Sequence, residues 1–208
     1  MKIHILDKIL EYENNKNILD TMFNEINDTV RDTNLIFSHL IIDGLEIYDD
    51  FYDYFLDNIR NIEKVIVVTK TIKRMSEEIL LSTVDYLERA IPEIEILSNE
   101  FYKTPSKESW SKLMDLIEGI KWIMDTFAAI DSNEQLKTIV NDYEEWNIYA
   151  KDIYELQELL VEFEEILQNS DFVSTADILS YEIIPLFKDM KVKLLKLISE
   201  EVEINDVN

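Results

Sequence analysis

The sequence contains no cysteine, and its only histidines are His4 and His39. Without thiols the chain can form no disulfide, no thiolate metal site and no cysteine nucleophile. The two histidines lie near the N-terminus, so the C-terminal two thirds lack the imidazoles of a helical-bundle metal site. We therefore expect no metal, no cofactor and no recognisable catalytic motif.

Glycine and proline are also scarce, at two and three residues in 208. Few positions can then adopt left-handed turns or interrupt a helix, which favours long continuous helices. A phosphate-binding loop needs several glycines close together, whereas Gly44 and Gly119 are far apart in the sequence. Gly119 falls within a helical pattern, where we expect it to admit a close neighbouring side chain.

Long hydrophobic runs are absent as well. No apolar stretch approaches the ~18 residues of a membrane-spanning helix. The polar, acid-containing N-terminus does not resemble a signal peptide. We therefore expect a cytoplasmic protein that does not enter a membrane.

Negative charge is abundant: 44 acidic residues against 20 basic ones give a net charge of −24. Such a field repels nucleic acid and attracts basic partners. The alternative is that the acidity only keeps the protein in solution. Mimicry of nucleic acid also stays open, because it depends on carboxylate spacings that a sequence does not define.

Residues 1–70 alternate strand-like and helical patterns. Strand patterns occupy 2–6, 35–42, 45–48 and 64–69, and helical spacing occupies 18–30 and 51–62. The order strand, helix, strand, strand, helix, strand predicts a ferredoxin-like subdomain, with both helices on one face of a four-stranded sheet. Residues 7–14 either lengthen the first strand or begin a helix.

Residues 71–208 are helical in pattern and predict an up-and-down four-helix bundle, packed on the first part as one unit. Pro92 is expected to kink or split the first helix. Thr104 is the candidate cap of the second, and Ser174 with Asp177 resembles a capping box before the last, which runs to about Glu203. The third, 134–168, would be ~50 Å long at 1.5 Å per residue and outreach its neighbours. It would then either cover the α/β part or offer a seam to a second copy in a structural homodimer.

The Asp43-Gly44 pair between two apolar strands predicts a two-residue hairpin turn, which by itself accounts for the glycine. The resulting register places His39 beside Tyr48 and near Glu46. A carboxylate near a histidine can orient it for proton transfer, so these three residues are a candidate small-ligand or catalytic pocket. Ser38 is expected on the opposite face, which excludes a Ser–His pair.

Two further sets are candidate contact residues. Five basic residues stand out in the acidic chain and are expected to cluster near the end of the last strand, as an anion contact or as internal charge balance. They are Arg60, Lys64, Lys70, Lys73 and Arg74. Four aromatic residues are candidate partner contacts, or are buried if the two halves of the chain pack together. They are Phe51, Tyr52, Trp122 and Trp146.

The function predicted from these patterns is a protein-interaction module, adaptor or chaperone-like, that binds a basic or amphipathic partner. Exposed aromatic residues surrounded by acids are typical of a groove for a basic amphipathic helix. The structural homodimer and a small-ligand site or enzyme at the Asp43-Gly44 hairpin are the two alternatives.

Overall fold

The computed structural model describes residues 1–31, 33–134, 136–140 and 142–199. The chain divides into two compact units, Met1–Met75 and a second that begins at Ser76. Within the described ranges, no helix is both long enough and apolar enough to cross a membrane. The packing of one unit on the other stays a prediction.

The first unit contains five strands and two helices. In chain order they are β1 (Lys2–Ile5), β2 (Lys8–Glu11), α1 (Leu19–Arg31), β3 (Leu35–Ile42), β4 (Leu45–Ile47), α2 (Phe51–Asn58) and β5 (Lys64–Thr71). The predicted order of strands and helices is confirmed, with one strand added. Residues 8–11, whose state the sequence left open, form β2 and return antiparallel along β1. The reversal is possible because Leu6 adopts a left-handed conformation, with φ of 50°.

The sheet has five strands rather than the expected four, in the order β2-β1-β5-β3-β4. Strand β5 lies at its centre, parallel to β1 and antiparallel to β3. A mixed sheet of this kind needs long connections between its parallel neighbours, and the chain from β1 to β5 supplies one. The rest of the first unit is contained in that connection.

One face of this sheet carries the core of the first unit. Alternate residues of β1, β3 and β5 point into it, as the two-residue period of a strand requires. They are Ile3, Ile5, Leu40, Ile42, Val65 and Val67. Helix α1 adds Leu19, Met22, Ile26 and Val30 to the same cluster, and α2 adds Phe55. Both helices therefore cover the same face of the sheet, as the sequence predicts.

The second unit is helical. Its elements are α3 (Ile72–Phe101), α4 (Lys107–Asp131), α5 (Leu136–Ile139), α6 (Tyr143–Gln168), α7 (Phe172–Ile178), a π-helical turn (Leu179–Ile183) and α8 (Ile184–Ser199). The four long helices, α3, α4, α6 and α8, pack as a bundle, which confirms the mostly helical α+β class.

Helix lengths differ from the sequence prediction. Helix α6 has 26 residues and begins at Tyr143, because the Asp142 carboxylate caps it by accepting hydrogen bonds from two first-turn amides. The longest helix is instead α3, with 30 residues, and it continues through Pro92 to Phe101. The expectation that the third helix outreaches its neighbours is therefore wrong, and Pro92 does not split the first helix. Buried Ile94, Leu97 and Phe101 hold the segment after the proline in the bundle.

Two predicted helix starts are also wrong by a few residues. Helix α4 is capped by Ser106, which exchanges hydrogen bonds with Ser109, and not by Thr104. Helix α7 is capped by Asp171, whose carboxylate accepts hydrogen bonds from the amide and hydroxyl of Ser174. In both segments several polar residues compete for the cap, and the sequence does not rank them. The predicted end of the last helix, Glu203, lies outside the described residues.

Helices α3 and α4 approach closely at Gly119. A Cβ atom built there would overlap the hydroxyl and ring of Tyr86. The prediction that Gly119 admits a close neighbour is therefore confirmed. Tyr86 also lies near Trp122, with ring centroids 6.2 Å apart.

We expect Gly119→Ala to destabilise the protein by about 1 kcal/mol, because the gain in helix propensity is smaller than the cost of displacing Tyr86. In a Tyr86→Ala background the same change is expected to stabilise by about 1 kcal/mol, since the overlap is gone. Urea unfolding of the four proteins measures both values. Equal effects in the two backgrounds would contradict this packing.

A charged cluster joins α6 to α8. Asp152 is 4% exposed, and its Oδ1 atom lies 2.6 Å from Lys193 Nζ. The same ammonium is 2.7 Å from Asp189. The second carboxylate oxygen of Asp152 is buried and accepts no hydrogen bond from any described residue. Burial raises the pKa of Asp152 more than the nearby Lys193 lowers it.

We expect Lys193→Met to destabilise the protein by about 3 kcal/mol at neutral pH, because it leaves the buried Asp152 without its cation. Lowering the pH should reduce this cost. A raised folded-state pKa means that the folded protein takes up the proton first, so the contribution of Asp152 to stability is present at low pH. That contribution is lost as the pH rises above the ordinary value of 3.8 and through the raised pKa.

Lys191→Met is the matched control, because Lys191 pairs with the exposed Glu88 at 3.1 Å. It should cost less than about 1 kcal/mol at every pH. Urea unfolding of both variants and the wild type, from acid to neutral pH, gives the comparison. Similar costs for the two lysines, or a cost of Lys193→Met that does not grow with pH, would contradict the buried-pair interpretation.

Candidate functional site

The Asp43-Gly44 turn has the predicted geometry. Both residues have positive φ, 50° and 92°, and the predicted pairs Ile42–Leu45 and Leu40–Ile47 are present. The Asp43 carboxylate also accepts hydrogen bonds from the amides of Glu63 and Lys64, at 3.2 and 2.8 Å. The turn therefore joins the hairpin to the start of β5, which is a structural role.

The three candidate pocket residues lie together beside this hairpin. The rings of His39 and Tyr48 stack with centroids 4.5 Å apart, and the Tyr48 hydroxyl donates to Glu46 at 2.6 Å. His39 is only 6% exposed, whereas Tyr48 is 60% exposed. The described hydrogen bond of Glu46 goes to the tyrosine and not to the imidazole. The arrangement suits a covered histidine better than a proton relay open to substrate.

Ser38 lies closer to His39 than the sequence predicts. A β-bulge interrupts the pairing of β3 with β5 between Phe37 and His39, and Ser38 is the extra residue. Its hydroxyl is 3.0 Å from His39 Nδ1. The expectation that the two side chains lie on opposite faces is therefore wrong, because a bulge shifts the two-residue alternation of side chains. The contact joins sequence neighbours, and no described carboxylate bonds to the imidazole.

The five candidate anion-binding residues do not form one cluster. Arg60 and Lys64 lie at or before the start of β5, Lys70 near its end, and Lys73 and Arg74 in the first turn of α3. Lys70 is six positions after Lys64 on the same extended strand, which places the two about 20 Å apart. The expected cluster is therefore wrong for Arg60 and Lys64, because an extended strand places its two ends far apart.

Of the four candidate partner contacts, Trp146 is excluded because it is fully buried. Its indole nitrogen donates to Asp131 at 2.9 Å, and its ring stacks on Phe127 at 5.1 Å. Periodicity placed it off the apolar seams, but its side chain packs in the bundle interior. Trp122 is 37% exposed on α4.

The other two candidates, Phe51 and Tyr52, line a groove between α1 and α2 with a volume of about 630 Å³. Four residues of each helix region form this α1–α2 groove. They are Asp20, Phe23, Asn24 and Asn27 from α1, and Asp50, Phe51, Tyr52 and Asp53 from the start of α2. Asp20 lies three and four residues before Phe23 and Asn24, and Asn27 lies four and three residues after them, so the four occupy one stripe of that helix.

Aromatic rings connect the floor of the α1–α2 groove to the core. Phe23 stacks with Tyr52 at 6.2 Å and meets the buried Phe55 edge-on at 5.7 Å. Phe51 meets Phe37 of β3 edge-on at 5.3 Å. Rings held by several neighbours lose little freedom when a ligand binds, which favours binding.

Acidic side chains form the rim of the α1–α2 groove. Asp20, Asp50 and Asp53 line it, and none of its eight lining residues is basic. Asp50 precedes α2 with a left-handed backbone, φ 46°, and its side chain makes no capping hydrogen bond. An aspartate at this position normally accepts bonds from first-turn amides. Here the carboxylate faces the groove without that competing interaction.

The sequence predicts two of the eight residues that line this groove, Phe51 and Tyr52, as contact residues. The α1 residues carry no such prediction, because helical periodicity marks Phe23 only as part of the apolar face of α1. The polar stripe Asp20, Asn24, Asn27 has helical spacing and surrounds Phe23, which is the available signal. The adjacency of α1 and α2 is a tertiary fact that spacing does not supply.

Within the described ranges, the acidic side chains do not assemble into a metal site. Among the described residues, no group of three His, Asp or Glu side chains is placed to hold a metal ion. Five glutamates of α6 between residues 155 and 165 are exposed. They are Glu155, Glu158, Glu162, Glu164 and Glu165.

Comparison with known proteins divides the chain in a similar way. A family described as the TP0873 N-terminal domain matches residues 1–71, which include the α1–α2 groove. Neither a curated protein nor a solved structure matches the chain. A second family, described as a domain of unknown function (DUF8042), matches residues 78–193, which is more than half of the chain. The chain therefore belongs to the DUF8042 family.

Proposed function

We propose that this protein is a non-catalytic interaction module whose α1–α2 groove binds a basic amphipathic helix of a protein partner. One observation carries the proposal: an aromatic floor is combined with three carboxylates and no basic side chain among the lining residues. A helix with apolar residues on one face and lysine or arginine beside them complements both features.

The dimensions of the groove suit such a ligand. Its α1 stripe runs from Asp20 to Asn27, which is about 10 Å at 1.5 Å per residue. Two turns of a partner helix match this length and would place two or three apolar side chains against Phe23, Phe51 and Tyr52. The volume of about 630 Å³ falls within the usual range of ligand sites.

Two kinds of interaction support binding. Apolar side chains of the partner would cover Tyr52, which is 43% exposed, together with the half-buried Phe23 and Phe51. A cation over an aromatic face adds roughly 0.5–1 kcal/mol at an exposed site. The net charge of −24 would also steer a basic partner towards the protein, an effect that weakens as salt increases.

The homodimer alternative has less support. Four seam residues of α6, namely Tyr149, Ile153, Leu156 and Phe163, are buried within the chain itself. Side chains already packed in the protein's own core are not available to a second copy. The hairpin alternative depends on His39, which Tyr48 covers.

We expect a short amphipathic helical peptide of leucine and lysine to bind the full chain. Binding should shift the NMR signals of residues 20–27 and 50–53, and a leucine–glutamate peptide of equal length should shift none. The triple variant Asp20→Asn, Asp50→Asn, Asp53→Asn should bind about tenfold more weakly, because it loses three pairs of roughly 0.5 kcal/mol each. Tyr52→Ala should weaken binding without changing the charge.

The matched control is Glu155→Gln, Glu158→Gln, Glu162→Gln on the exposed face of α6, which changes the net charge by the same amount. This control should bind the basic peptide almost as tightly as the wild type. Equal losses in the two triple variants would show that overall charge, and not the α1–α2 groove, determines binding. Absence of saturable binding at low salt would also overturn the proposal.

A further inference from the structure

A second cavity lies in the other unit, between α3 and α4, with a volume of about 350 Å³. Its floor is apolar and is formed by Ile94, Leu97 and Leu116, each at most 6% exposed, together with the small Ala90. We call this cavity the α3–α4 slot. It is separate from the α1–α2 groove, and it lies within the part of the chain that matches the DUF8042 family.

The two ends of the α3–α4 slot are closed by contacts between the helices. At one end the ring of Tyr86 lies against Gly119, in space that only a glycine leaves open. At the other end Lys112 of α4 pairs with Glu100 of α3 at 3.4 Å. The helices thus meet on both sides of the slot, which keeps the cavity between them open.

The rim of the slot carries two charges of each sign. Arg89 and Glu93 come from α3, and Asp115 and Lys112 come from α4. Arg89 and Glu93 are one helical turn apart on α3, and Lys112 and Asp115 are three residues apart on α4, so each wall of the slot carries both signs.

Lys112 is paired with Glu100, whereas the other three rim charges form no ion pair with a described residue. Arg89 donates one described hydrogen bond, from Nε to the Asp85 carbonyl at 3.2 Å, which leaves the other guanidinium donors for a ligand. Neither Glu93 nor Asp115 forms an ion pair with a described residue. Asp115 lies near enough to Tyr86 to help burial raise the pKa of that hydroxyl. Each wall of the slot therefore presents one positive and one negative side chain.

We propose that the α3–α4 slot binds a small zwitterion with a large apolar side chain, namely a free apolar α-amino acid. The ligand carboxylate meets Arg89, and its ammonium meets Asp115. The side chain lies on the floor made by Ala90, Ile94 and Leu116. The size of the slot, at the lower end of the usual range for ligand sites, fits a ligand of this class.

The full chain tests this proposal with phenylalanine and leucine as probes, by calorimetry and by NMR signals of residues 86–97 and of the Trp122 indole. Two analogues separate the charges: 3-phenylpropanoate lacks the ammonium, and 2-phenylethylamine lacks the carboxylate. Phenylalanine should bind at least about tenfold more tightly than either, because each analogue leaves one rim charge without its partner. Equal binding of all three compounds, or no saturable binding of either amino acid, would overturn the proposal.

Variants distinguish the slot from a general surface effect. Arg89→Met should abolish the preference for phenylalanine over 2-phenylethylamine, and Asp115→Asn the preference over 3-phenylpropanoate. Ala90→Leu fills the slot without removing a charge and should prevent binding. Ala129→Leu, on the exposed face of α4, is the matched control and should bind as the wild type does. Circular dichroism verifies that each variant is folded, and a wild-type preference retained in both charge variants would contradict the assignment.

Discussion

Strand β5 is the constraint on which the first unit depends. It lies at the centre of the sheet, pairs with β1 and β3, and contributes Val65 and Val67 to the face under both helices. The Asp43 carboxylate accepts hydrogen bonds from the amides of Glu63 and Lys64, which fixes the hairpin to the start of β5. This sheet face supports α1 and α2, and their side-by-side packing forms the α1–α2 groove. Immediately after Thr71 the chain begins α3, the longest helix of the bundle.

In the proposed function, the negative charge of the protein has a long-range effect and a short-range effect on its partner. At long range, a net charge of −24 attracts basic molecules without selecting among them. At short range, Asp20, Asp50 and Asp53 surround aromatic rings that an apolar side chain can cover, which confers selectivity. The α3–α4 slot differs because its rim carries both signs, and the zwitterion proposed for it carries a matching pattern of charge. Each unit thus presents a cavity suited to its own class of ligand.

Local chemistry was predictable from the sequence, and tertiary adjacency was not. The hairpin at Gly44 and the apolar seams of the long helices follow from turn chemistry and periodicity. Strand β2 depends on a left-handed Leu6, and the Ser38–His39 contact depends on a bulge, neither of which has a sequence signal. Trp146 was wrongly predicted as a partner contact, because periodicity distinguishes the apolar and polar faces of a helix but does not show which neighbouring element covers each face. Both cavities lie between helices, so spacing within one helix reveals only one wall of each.

The central claim is that the α1–α2 groove is where a basic amphipathic helix binds. The most direct test is the measurement of intermolecular nuclear Overhauser effects between the bound leucine–lysine peptide and the full chain. We predict contacts from the leucine methyl groups to the rings of Phe23 and Tyr52, and from lysine side chains to the residues beside Asp20 and Asp53. Contacts confined to another acidic surface, with none to these two rings at saturating peptide, would contradict the account.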